Sequence, residues 1–354
     1  MRLLDRYMGQ AVVASTAVVM AVLLSLYFFS TFVEEVGDVG QGDYTVLHAL
    51  QFTVLLMPRL AYELFPLAAL LGSLLGLGTL AGSNELTVIR AAGVSVGRIV
   101  FSVFKVGLVM IAVVGLLGEA VAPHAEKYAR NLRAEALSEQ FSVNTDFGLW
   151  AREGDTFVNI RRLLPDGLLS QVFLYELGPD GQLLEATVAR RAVHRNGAWQ
   201  LQDIQRSRFH QDRVERVREE RAPWRSSLTP EALKVVSIPP EKLSIWDLWG
   251  HIGYLKENGL DAKRYEVSMW NRAAVPFATA GMVLLAVPFV FGSMRSVGVG
   301  HRVMVGSLLG IGFYLLNAVF TRAGMVYGLP PAVAALLPTG ILYLSWWLLM
   351  RRVT

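Results

Sequence analysis

The chain has 354 residues, 53% of them hydrophobic and 18% charged, with a formal net charge of +4. A soluble protein of this length carries more charge and does not gather its apolar residues into runs of about 20, so the composition points to a polytopic membrane protein. There is no cysteine, which excludes disulfides, thiolate nucleophiles and cysteine-based metal sites.

In chain order, six spans are predicted: Tyr7–Val33, Met57–Ala81, Ile99–Val121, Val267–Phe291, Val303–Phe320 and Pro331–Met350. The first follows Arg2 and Arg6 as a signal peptide would. It is too long for a signal h-region and has no small-x-small cleavage site before Glu34, so it is expected to be retained. At the outer end of the second span, whose boundary falls near Tyr62, Arg59 and Glu63 lie four apart on one helical face at the interface. Pro58 and Pro66 are expected to bend the helix there.

Between the second and third spans lies Gly82–Arg98, GSNELTVIRAAGVSVGR. Leu86, Ile89, Ala92 and Gly93 recur at three- and four-residue spacing, which predicts a short amphipathic helix over about 84–93. Ser83 or Asn84 suits its start, Glu85 suits the positive end of its dipole, and Gly93 suits its stop. Such a helix either closes a loop at the interface, or is gripped by a soluble partner and passes motion to both spans.

Orientation follows from the arginines. Arg2, Arg6, Arg90, Arg98, Arg295, Arg302, Arg351 and Arg352 fall on one side, and Glu34, Glu35, Asp38 and Asp43 on the other. The positive-inside rule puts both termini and Gly82–Arg98 in the cytoplasm. The insert between the third and fourth spans is then outside. The predicted organisation is 1–122 for the first three spans, 123–140 for a helical connector, 141–238 for a β-domain, and 239–354 for a second connector and the last three spans. In the β-domain, LWARE, TFVNIRRLL, QVFLYEL, ATVARRAVHR and AWQLQDIQRSRF read as strands separated by EGD, PDG, PDG and RNG turns. The expected fold class is an α-helical membrane protein of six spans carrying an antiparallel sandwich or barrel-like domain.

Gly72, Gly76, Gly78 and Gly82 in the second span, and Gly306, Gly310 and Gly312 in the fifth, mark faces for close helix packing, within one subunit or against another. Neither a GxxxxGK[ST] phosphate loop nor an HExxH or GxSxG motif is present. The spans hold almost no ionisable groups beyond Lys105 and Glu119, which argues against an ion-coupled carrier, although Asn271 and Asn317 keep one open. Lys127, Arg130, Arg133, Arg59, Arg272 and Arg322 gather near the outer headgroup level. They serve there either as ordinary interfacial anchors or as contacts to the phosphates of an anionic lipid.

Several long motifs carry a resemblance: LLDRYMGQ, FPLAALLGSLLGLGTLAGSNEL, ELTVIRAAGVS, GEAVAPHAEKYARNLRAEA, PFVFGSMRSVGVGHRV and YGLPPAVAALLP. Together they resemble, across the whole chain, the YjgP/YjgQ permease family, the LptF and LptG transmembrane subunits of the lipopolysaccharide export ABC transporter. The LLDRY opening, SMWNR and the LLMRR ending lean toward the LptG branch. The resemblance implies an LptF paralogue as partner, a dimer of the ATPase LptB beneath the pair, and LptC joined through a β-jellyroll outside, with lipopolysaccharide as substrate and no nucleic acid. ATP and Mg would belong to the ATPase, leaving this chain with no cofactor, metal or catalytic residue.

By the same resemblance Gly82–Arg98 is the coupling helix, with Glu85 at the family's acidic position and Leu86, Ile89, Arg90, Ala92 and Gly93 completing the docking face. Leu26 and Phe29 of the first span, Phe65 of the second, and Leu309, Phe313 and Leu316 of the fifth are expected to line the apolar cavity and its lateral gate. Some members carry basic residues for lipid at the outer end of the first span. Here Thr31, Gly37 and Asp38 stand there, so Arg133, with Arg130, Arg59 and Arg322, becomes the headgroup candidate. A secondary lipid flippase and a non-transporting scaffold are the alternatives.

Overall fold

The computed structural model describes residues 2–137, 149–163, 168–178, 180–195, 198–210, 213–224, 226, 240, 243–257, 261–292 and 297–352. Two compact units are present. One comprises Met1–Gly40, Tyr44–Leu132 and Pro240–Thr354, the other Gln41–Asp43 and Arg133–Pro239. Arg295 and the turn residues at 165–167 and 196–197 lie outside the described residues.

In the helical unit α1 is Arg2–Val36, α2 Val46–Gly82, α3 Glu85–Ala91 and α4 Val96–Leu116. A π-helical turn, Leu117–Val121, joins α4 to α5, Ala122–Ala136. After the inserted unit come α6, Ile245–Glu257, α7, Lys263–Phe291, α8, Val299–Tyr327, and α9, Pro331–Met350. Among the described residues, six helices are long and apolar enough to cross a membrane. Most run past the apolar stretches predicted for them: α1 starts at Arg2 rather than Tyr7, and α2 at Val46 rather than Met57. Polar flanking turns keep the helical hydrogen bonds where headgroups and water begin, so apolar content underestimates helix length. Thr45 caps α2 in a reciprocal capping box with His48, and the helix continues through Pro58 and Pro66.

The core sits around α2 and α7. Leu70, Leu74 and Leu77 interlock with Val283, Ala286 and Val287, and Met8, Val12, Ile99 and Val103 close the sides. Gly72, Gly76 and Gly78 of α2 and Gly306 and Gly310 of α8 serve this packing within the chain, whereas a Cβ on Gly312 would meet nothing within 4 Å. A Cβ on Gly72 would meet the Thr16 backbone at 2.4 Å, and one on Gly310 would meet Leu67 at 2.1 Å. Backbones approach closely there because side chains are absent.

In the inserted unit, β1 Leu149–Glu153, β2 Thr156–Leu163, β3 Leu169–Leu177, β4 Leu183–Arg195, β5 Ala198–Phe209 and β6 Val214–Trp224 form one antiparallel sheet in chain order. The five expected strands are there, and β6 is an addition. The described strands make a meander, not the crossing order of a jellyroll. The turns between β1 and β2 and between β3 and β4 are too short to do anything but pair neighbours.

One irregularity crosses five of the six strands. Pairing is interrupted at Arg161, Gln171, Arg190, Asp203 and Glu220, one residue on each of five adjacent strands. Gln171 and Asp203 have φ of 56° and 52°. On one side of this line the inward residues are Ile160, Val172, Ala189 and Ile204; on the other they are Leu169, Ala192, Leu201 and Ala222. The inward alternation therefore slips by one residue at the line on each strand that crosses it, while the pairing register is the same on both sides, so no strand gains a residue as it would at a β-bulge. Both sides contribute to a single apolar core with Trp199 and Trp224, so the sheet is creased along this line.

Candidate functional site

Helix α3 is fixed to the bundle by one face and free on the other. Leu86 is only 2% exposed and joins the core of α2, α4 and α7, with Ile89 packed beside it. Val88, on the opposite side, is 67% exposed. Asn84 takes the N-cap position with φ 63° and makes no side-chain cap, so the predicted Ser83 or Asn84 cap does not form. The Ser83 hydroxyl donates instead to Glu85 Oε1 at 2.8 Å. At the far end Gly93 N–H donates to Arg90 O and Val94 N–H to Ile89 O. This is the Schellman arrangement, with Gly93 at φ +87°. Ala92 and Gly93, expected within the helix, are its cap and the residue beyond. Arg90 lies over the Phe291 ring at the end of α7, 5.8 Å from its centroid.

Glu85 connects α3 to the first helix. The Tyr7 hydroxyl donates to its Oε2 at 2.7 Å. This contact, and after it the Ser83 hydroxyl, holds the Glu85 carboxyl below the usual carboxylate range, so the group is charged at neutral pH. The start of α1 is also tied to α4: Lys105 Nζ donates to Asp5 Oδ2 at 2.7 Å, and Arg98 lies 3.8 Å from the same oxygen. Between α1 and α3 lies an open groove of about 730 Å³, lined by Leu3, Tyr7, Gln10, Glu85, Val88 and Ile89. Close by, Arg302 of α8 is 5% exposed and its side chain fills the space a Cβ on Gly78 of α2 would occupy.

The other end of the bundle is a lattice of arginines and carboxylates. Arg59 donates to Glu63 and to Glu126, each at 2.7 Å, and Arg130 also donates to Glu126. Glu119, in the π-helical turn, accepts from Arg272 at 3.1 Å and from the backbone N–H of Ile245 at 2.9 Å. The turn also passes Tyr62 closely: a Cβ on Gly118 would stand 2.2 Å from its ring.

These contacts separate the predicted headgroup residues. Arg59 and Arg130 are paired with carboxylates, and a phosphate would have to displace those pairs. Arg133 is half-buried in the last turn of α5. Arg322 is exposed and has no carboxylate partner among the described residues. The predicted cavity residues also divide. Leu26 and Phe29 are 63% and 70% exposed, whereas Phe65 is buried, and Leu309 and Phe313 pack against the core. The exposed face of α8 is Leu308, Ile311, Leu315 and Val319. Gly306 and Gly310 turn toward α2, so the opposite face is left open; their spacing was the signal that would have selected it.

Two comparisons with known proteins bear on this geometry. The family model described as lipopolysaccharide export system permease LptF/LptG matches residues 6–352. The chain is 37% identical over 353 residues to the lipopolysaccharide export system permease protein LptG of Escherichia coli K12, covering 99% of this chain and 98% of that one. To LptG of Haemophilus influenzae it is 34% identical over 352 residues, again 99% and 98%. To LptF of E. coli K12 it is 25% identical over 194 residues, 53% of this chain and 52% of that one. The chain belongs to the LptF/LptG permease family. Within it, the full-length matches fall on the LptG side. As a permease of this family it is a multi-pass inner membrane protein, and no cluster suited to a metal occurs among the described residues. Sequence reasoning missed Tyr7, Phe291 and Arg302 around α3, because each reaches the site only through the packing of distant helices, and it gave Ser83 the role of a cap where its hydroxyl in fact donates to Glu85.

Proposed function

We propose that this chain is the LptG-type half of the exporter that lifts lipopolysaccharide from the outer leaflet of the inner membrane, driven by ATP hydrolysed in a partner. Its partners on this reading are an LptF paralogue, a dimer of the ATPase LptB seated on α3, and LptC engaged through the inserted sheet. Both termini and α3 face the cytoplasm and the sheet faces the periplasm. The energetics require such a drive. An acyl chain gains nothing on leaving lipid for an apolar cavity, whereas moving it toward water costs roughly 0.8 kcal/mol per CH₂.

The observation that carries this reading is the attachment of α3. A helix keyed by Leu86 into the common core, tied by Glu85 to α1 and closed by Gly93, cannot be displaced without moving the helices it touches. Its exposed side, with Val88 and the adjoining groove, is left for the ATPase. Lipid would enter along the exposed faces of α1 and α8, with the exposed Arg322 the headgroup candidate that the ion pairs of Arg59 and Arg130 leave open. The test is Glu85→Ala in the assembled exporter. Membrane insertion is expected to be normal, with ATPase copurification and lipopolysaccharide release both reduced. Normal release by this variant would remove Glu85 from the coupling role.

A further inference from the structure

Helix α6 has two unlike faces. Leu248, Ile252 and Leu255 are buried, at 0%, 8% and 1% exposure. On the other side Trp246 and Trp249 are 78% and 72% exposed. At 100° per residue, Gly250 and Gly253 fall on the same side as the two indoles. A Cβ on either glycine would meet nothing within 4 Å, so the indoles stand over a flat, open strip of helix.

The depth of this strip is fixed by the contacts of α6. Its first turn is capped by Ser244 and Asp247, and the Ile245 N–H is held by Glu119 at the far end of α4. His251 stacks on Tyr265 in the first turn of α7, with ring centroids 6.0 Å apart. Lys256 pairs with Glu266 one residue further on. Helix α6 therefore lies where the spanning helices begin and end, at the boundary opposite α3. The same end of the bundle carries exposed apolar residues on the spans: Leu116 is 69% exposed at the end of α4, Val121 43% in the π-helical turn, and Tyr327 81% at the end of α8. Indoles combine a large apolar ring with one N–H donor and concentrate at this headgroup level, where both are satisfied.

We infer that α6 lies along the membrane surface and seats Trp246 and Trp249 in the headgroup layer of the bilayer, anchoring the connector that leads into α7. This depends on the chain spanning a membrane and not on what it exports. The absence of cysteine makes a direct depth measurement possible. Trp246→Cys and Trp249→Cys would each be made in the full-length chain, nitroxide-labelled and reconstituted into phosphatidylethanolamine–phosphatidylglycerol vesicles. Val109→Cys on α4 serves as the lipid reference and Gln182→Cys in the sheet as the water reference. The ratio of oxygen to nickel-chelate collisions at 246 and 249 is expected to exceed that at 182 and to fall below that at 109, as it does at headgroup depth. A ratio like that of 182 would mean the indoles face water, and low accessibility to both reagents would mean a protein covers them; either overturns the proposal. As a second readout, brominated lipids should quench the fluorescence of the unlabelled native chain more than that of the Trp246→Phe, Trp249→Phe double variant, and equal quenching counts against it.

Discussion

At the α3 end of the bundle, Glu85 is held by the hydroxyls of Tyr7 and Ser83 beside an open groove. At the opposite end, Arg59, Arg130 and Arg272 are each paired with a carboxylate, and Gly118 lets Tyr62 lie against the π-helical turn. Hydroxyl contacts to an exposed carboxylate hold α3 against α1 and leave the carboxylate's other lone pairs open to a partner's donors. Ion pairs withdrawn from water are costly to break once one partner is gone. The first end is suited to be gripped and the second to hold its shape, which is what transmission from one side of a membrane to the other requires.

The largest effects are expected where the rigid end is overpacked. Gly118→Ala places a methyl group 2.2 Å from the Tyr62 ring, and overpacking of this kind typically costs about 1–3 kcal/mol, more where neither side yields. Thermal unfolding in detergent should show the loss, and Tyr62→Leu should recover part of it; an unchanged midpoint for Gly118→Ala would mean the turn is slack. Next in size is Arg272→Met, which leaves Glu119 facing the bundle without its cation. Breaking a buried pair costs about 3–5 kcal/mol, and the partial exposure of both side chains here puts the expectation at or below the low end. The Glu119→Leu, Arg272→Met double variant should be less destabilised than Arg272→Met alone. If the double variant is the worse of the two, the backbone contact of Glu119 to Ile245 outweighs the ion pair.

Much of this contrast is hidden from the sequence. Apolar runs located all six spans, and the spacing of Leu86, Ile89 and Gly93 located α3, because those signals are local. Tyr7 meets Glu85 across 78 residues and Arg59 meets Glu126 across 67, so arginines counted as a headgroup ring were already occupied. Strand β6, VERVREERAPW, has charge at six of its eleven positions and lacks the alternation by which the other strands were recognised. The crease across the sheet shifts the inward register at residues of ordinary composition, with only the positive φ of Gln171 and Asp203 to mark it. The α8 face was misassigned because its apolar residues run all round the helix, and only the glycines distinguish the packed side.

A smaller effect separates the two ends by pH. The Glu85 pKa is lowered in the folded chain by the Tyr7 and Ser83 hydroxyls. Its attachment to α1 is therefore fully present above the ordinary carboxylate pKa and is lost as pH falls through the lowered folded value. Tyr7→Phe removes the larger cause. The acid loss of ATPase copurification should move to higher pH in this variant, while stability at neutral pH changes little. An unshifted profile would show that the Tyr7 contact does not set the charge on Glu85.

The smallest change is expected from Gly93→Ala. Gly93 has φ +87° and open space around its Cα, so a methyl group meets no clash there and only the left-handed backbone is penalised, by about 1–2 kcal/mol. That penalty falls on the Schellman closure that fixes the direction in which the chain leaves α3 for Ser95, the cap of α4. The bundle core does not involve this residue, so the unfolding midpoint should fall by no more than a few degrees. Export should fall more than stability does, because α3 would transmit displacement to α4 through a looser joint. Equal export by wild type and Gly93→Ala would mean that motion passes from α3 through Leu86 and Tyr7 alone, and that the connection to α4 is only a tether.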